Sequence, residues 1–172
     1  GCNRLLWETQ SVELVDVRHA AAQIAVNGLL QPYANKVHFT VRQVWMVYGS
    51  GDVVLTTTVT PQNTKDWLGS LPRIGLELVL PAACENYAWY GLGPHACYPD
   101  RRQSGRLDVY RSTVRNEYVN YVTPQHHGEK LDVRWAALTD LQGRGLFIGG
   151  QPTLHVNASH YTQAMLEEAK HI

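Results

Sequence analysis

The chain is poor in the features that announce most classes of function. Its 172 residues hold three cysteines, Cys2, Cys84 and Cys97, and no two form a CxxC pair. An odd number of thiols in a chain too long to depend on disulfides reads as free cysteine in a reducing compartment, which points to the cytoplasm; a Cys84–Cys97 bridge is the alternative. Long apolar runs are missing as well, since stretches such as Val44 to Tyr48 are far below the roughly 20 residues that cross a bilayer. No basic segment followed by an apolar one opens the chain, so a soluble protein without an address is expected, with no membrane partner. Charge of one sign is also lacking, lysine plus arginine and aspartate plus glutamate standing at 15 each. Without a dense basic cluster there is no electrostatic footprint for a phosphate backbone, and nucleic acid is not expected as a partner. Eight histidines are present. His126 and His127 are adjacent and His155 lies five before His160, spacings that send each pair to opposite faces of a strand, so no metal site is expected.

What the chain does have is alternation. Ile74, Leu76, Leu78 and Leu80 alternate with Arg73, Gly75, Glu77 and Val79, and Leu131, Val133, Trp135 and Ala137 alternate with Asp132, Arg134, Ala136 and Leu138. Such period-two patterns predict half-buried antiparallel strands. Further strands are predicted at 12–17, 23–30, 37–48, 53–60, 87–90, 107–110, 118–122, 146–148 and 154–158. Gly49-Ser50-Gly51-Asp52 and the stretch from Asp140 to Gly145 are hairpin punctuators. One helix is predicted near the end. Thr162 can cap two to three turns in which Met165, Leu166 and Ala169 share a face, with Lys170 and His171 at the negative pole. Length suits one domain, and the strands are expected to build two face-packed sheets. The chain opens abruptly on Leu5-Leu6-Trp7 and Ile172 follows the helix directly, so residues 1–172 are expected to be a piece of one domain truncated at both ends.

Catalytic groups are hard to find. A glycoside-cleaving site needs two nearby carboxyl groups, one held protonated, but Glu77, Asp108 and Asp132 occupy outward strand positions, Glu167 and Glu168 an exposed helix face, and Asp52 and Asp140 turns. Ser104, Ser112 and Ser159 lack a Gly-x-Ser-x-Gly setting, and no glycine-rich loop opens a helix. No catalytic residue is therefore assigned. Sugar binding fits the composition of one region better, because pyranoses are held by aromatic faces and planar polar groups. Trp89, His95, Tyr98, Asp100 and Arg101, with Asn86, Tyr87 and Tyr90, are the candidates for a carbohydrate- or domain-contact loop. In the competing reading these rings are packing, Gly91 and Gly93 relax the backbone as a strand ends, Pro94 and Pro99 stiffen the loop, and Asp100 or Arg101 ties it down.

The eleven residues from Gly91 to Arg101, GLGPHACYPDR, resemble the GLGPxExYxDR signature of the small-chain, or fifth-domain, region of β-galactosidases in glycoside hydrolase family two. Tyr121-Val122-Thr123-Pro124-Gln125, then Gly128 and Asp132-Val133-Arg134-Trp135, resemble the family's YVxPQENG and VRW blocks. Asn157-Ala158-Ser159-His160-Tyr161-Thr162, with Leu166, Ala169 and His171, resembles its closing NxSxYT block, and Pro72-Arg73-Ile74-Gly75 its PRIG strand opening. The likeness runs from about Pro72 to His171 and weakens before that. His95-Ala96-Cys97 and His126-His127 depart from the family's usual polar residues, so no role of those groups carries over.

The resemblance implies an all-β, antiparallel β-supersandwich similar to galactose mutarotase, with one short C-terminal helix, lying beside a catalytic (β/α)₈ barrel. It implies a parent that hydrolyses terminal β-D-galactosides such as lactose with retention, is a homo-oligomer, and binds magnesium and sodium in its catalytic domain, with no cofactor in this chain. Galactoside is then met only through the parent, whose tryptophan-bearing segment would lie beyond the helix. Two alternatives remain open: a free-standing carbohydrate-binding module, and an aldose epimerase using His155 or His160 with Glu77.

Overall fold

The computed structural model describes residues 5–32, 38–63, 71 and 73–169. It is nearly all β, with two four-stranded antiparallel sheets and one short helix, an inventory consistent with an all-β sandwich. The chain divides into two compact units, Gly1–Gly75 and Leu76–Ile172. No helix among the described residues is long and apolar enough to cross a membrane.

The first unit is an up-and-down meander of β1 (Leu5–Arg18), β2 (Ala21–Pro32), β3 (His38–Tyr48) and β4 (Val53–Gln62), paired in that order. Gly49 to Asp52 make the expected β3–β4 turn, closed by the Tyr48 N–H donating to Asp52 O at 2.9 Å, with Gly51 at φ +93° where a side chain would be strained. Pairing register sorts the side chains. Trp7, Val12, Leu14 and Val17 of β1 share a face with Ile24, Val26, Phe39, Val41, Trp45 and Leu55, while Glu8, Glu13, Asp16, Arg18 and Arg42 take the other. Register shifts between Thr9 and Ser11 and between Leu14 and Asp16 each insert one residue into β1. Because every extra residue reverses the pleat, these two bulges keep Val12, Leu14 and Val17 on the apolar side.

The second unit holds β5 (Asn86–Gly93), β6 (Arg106–Thr113), a 3₁₀ turn at Arg115–Glu117, β7 (Lys130–Thr139), β8 (Gly145–Val156) and α1 (Gln163–Glu168). Its sheet order is β6-β5-β7-β8. Tyr87 and Trp89 of β5, Val114, Val133, Ala136 and Leu138 around β7, and Val156 form a buried core, onto which Leu80, Cys84, Tyr110, Leu154 and Ala158 pack. Asp140 locks the β7–β8 turn: its carboxylate accepts the N–H groups of Gln142 and Arg144, each at 2.9 Å, and the Arg144 Nε at 3.0 Å. Those donors, the Arg144 backbone first, hold the carboxyl below its usual range.

Several expectations are corrected. Residues 73–80 carry strand-like alternation but join no ladder, and Ile74, Leu76, Leu78 and Val79 are exposed; alternation gives a strand only where an edge accepts the backbone. Pro72 lies outside the described residues. Residues 118–122 likewise form no strand, following the 3₁₀ turn as an irregular segment. The predicted strands 146–148 and 154–158 are two paired halves of β8, which faces β7 through Gly145–Gly149 and again at Leu154 and Val156. In β7 the buried set is Leu131, Val133, Ala136 and Leu138, because an irregularity between Val133 and Trp135 moves Trp135 and Ala137 to the other face. The helix is shorter than expected. Thr162 does cap it, its Oγ1 accepting the Met165 N–H at 3.2 Å, but Ala169 is already extended; Leu166 is buried and Met165 exposed, and Lys170 and His171 are outside the described residues. Cys84 and Cys97 are unbridged thiols, and Cys2 falls outside the described residues.

Candidate functional site

The Gly91–Arg101 segment begins inside β5. A Cβ on Gly91 would stand 2.8 Å from Val133 Cγ2 and 3.0 Å from Leu131 O, and one on Gly93 would stand 2.8 Å from the Tyr110 ring. Neither glycine has positive φ, so close approach of β6 and β7, rather than relaxation of a strand end, accounts for them.

Sequence reasoning missed the residue that organises the loop. Lys130 opens β7 and is 0% exposed, although a lysine at a strand start ordinarily reaches solvent. Its Nζ donates to Pro94 O at 2.8 Å and to Glu117 Oε2 at 2.5 Å, and sits 4.5 Å from the centroid of the Trp89 ring. One ammonium thus joins the loop, the 3₁₀ turn and the core, its charge met by a carboxylate, a carbonyl and an aromatic face. The residue type and its place in a strand pattern carried no signal for this.

Of the residues singled out from sequence, Trp89 is 1% exposed; Tyr87 and Tyr110 lie 4.9 and 5.3 Å from it between centroids, and its Nε1 donates to Leu92 O at 3.2 Å. The other four gather along the loop. His95 is exposed and contacts Ser104 Oγ at 2.8 Å. Tyr98 is half-buried, its hydroxyl donating to His126 O at 3.3 Å and lying 3.2 Å from His126 Nδ1; burial first, then the Glu129 charge, pushes that hydroxyl up. Arg101 supplies the expected tie, donating to the Tyr121 hydroxyl at 3.3 Å and lying 5.0 Å over the Tyr98 ring. Asp100 lines an open depression of about 530 Å³ formed by Pro99–Ser104. The Cys97 N–H donates to Glu129 O at 2.8 Å. Burial pushes its thiol up, against weaker opposing pulls from Lys130 and Arg101. This is the chemistry of a clamp, with polar groups engaged by the protein's own backbone and side chains.

A second set of contacts pins the chain after β8. Glu129 faces His155 at 3.1 Å and His126 at 3.8 Å, Asn157 contacts His126 at 3.1 Å, and Glu85 takes His160 at 2.6 Å and the Arg115 N–H at 2.9 Å. His155 and His160 thus pair with Glu129 and Glu85, while Glu77 sits exposed in the unladdered segment 73–80. The Tyr87 hydroxyl is buried without a hydrogen-bond partner among the described residues, and burial, with the Glu117 charge, pushes it well up. Among the described residues no three His, Cys, Asp or Glu side chains converge.

Comparison with known proteins is consistent with this architecture. A family model described as β-galactosidase small chain matches residues 4–172. Proteins named β-galactosidase are similar: that of Vibrio cholerae is 37% identical over 161 residues, covering 93% of this chain and 15% of that protein. That of Priestia megaterium is 35% identical over 127 residues, 74% of this chain and 12% of that protein. That of Lactobacillus delbrueckii subsp. bulgaricus is 34% identical over 140 residues, 81% and 13%. The chain therefore spans under a sixth of the length of these relatives. From its match along almost its whole length, the chain belongs to the β-galactosidase small-chain family.

Proposed function

We propose that the chain is a non-catalytic part of a β-galactosidase that hydrolyses terminal β-D-galactosides, lactose among them, with retention. It acts as architecture for a catalytic (β/α)₈ barrel carried by another part of the enzyme, which would also bind magnesium and sodium. The observation that carries this reading is the family match over residues 4–172, joined to a signature loop whose ring and cation are built into the core through Lys130 and Trp89. The described acids support it: Glu117, Glu129, Glu85, Asp132 and Asp140 each face a basic side chain of this chain, rather than the apolar, unpaired setting in which a glycosidase holds its acid. A cytoplasmic setting goes with the unbridged Cys84 and Cys97.

The test is an assay on a chromogenic β-galactoside of the purified chain, of the rest of its enzyme, and of the two mixed. The chain alone should be silent and the mixture active. Turnover by the purified chain alone would overturn the assignment. Saturable galactose binding by the chain, followed by tryptophan fluorescence, would favour the carbohydrate-binding module instead.

A further inference from the structure

We draw no further inference here: the strongest candidate, the aromatic patch where Trp135 and Phe147 stack at 5.8 Å between centroids on the face of the β6-β5-β7-β8 sheet turned away from the core, leaves Phe147 67% exposed, and nothing in the structure shows what covers it.

Discussion

Replacing Lys130 by methionine keeps the length of the stem and removes the charge, so the change isolates what the ammonium does. Three contacts are lost: the ion pair to Glu117, the bond to Pro94 O and the approach to Trp89. Breaking a buried pair from one side costs about 3–5 kcal/mol, because the remaining charge is left without compensation. The Glu117 side chain keeps 13% exposure, so some water reaches it and the lower end, about 3 kcal/mol, applies. The orphaned Pro94 carbonyl adds about 1 kcal/mol. A total of about 4 kcal/mol is a large share of the 5–15 kcal/mol typical of a whole domain. Urea unfolding followed by tryptophan fluorescence should show a midpoint lower by about 2 M, taking a slope of about 2 kcal/mol/M. Lys130→Met with Glu117→Leu removes both charges, and most of the loss should return, leaving a coupling of about 3 kcal/mol in the double-mutant cycle. A single-variant loss below about 1 kcal/mol, or no recovery in the double variant, would refute the argument that this pair is desolvated.

Two further outcomes follow from the same core and its rim. Burial pushes the Glu85 carboxyl up, but the Arg115 N–H and His160 together hold it below its ordinary value; a depressed acid adds stability above its unfolded pKa that is lost as pH falls through the folded one. Thermal melts should therefore show a flatter acid limb below about pH 5 for Glu85→Gln than for the parent chain, and identical limbs would disconnect Glu85 from acid sensitivity. Tyr87→Phe deletes the buried hydroxyl that finds no partner among the described residues and should raise stability by about 1 kcal/mol in urea unfolding; a loss of that size would mean the hydroxyl is satisfied by ordered water.

The sequence displayed its strands because period two and turn chemistry are local signals. The Gly49–Asp52 and Asp140–Gly145 turns and the Thr162 cap all depend on side chains that bond their own neighbours. What escaped was set at longer range. Residues 73–80 alternate as well as any strand, and whether an edge pairs with them is not written in them. The β7 irregularity reverses which of Trp135 and Ala136 is buried, and a pattern of alternating apolar residues cannot announce its own phase shift. At the candidate site, GLGPHACYPDR was legible as a stiff loop with packed rings, tied by Asp100 or Arg101; which groups cover Trp89 was not, because Tyr110 and Lys130 reach it only through pairing between distant strands.

The β6-β5-β7-β8 order sets a timetable for biosynthesis. β5 finds β6 soon after it leaves the ribosome, but its other edge waits for β7, with Asn86 meeting Thr139 and Tyr90 meeting Trp135. Trp89 and the Lys130 that shields it are separated by the whole GLGPHACYPDR loop, β6 and the 3₁₀ turn, so the nascent chain must carry an indole covered only by Tyr87 and Tyr110 until β7 emerges. During that interval the half-made sheet is a natural client for a chaperone.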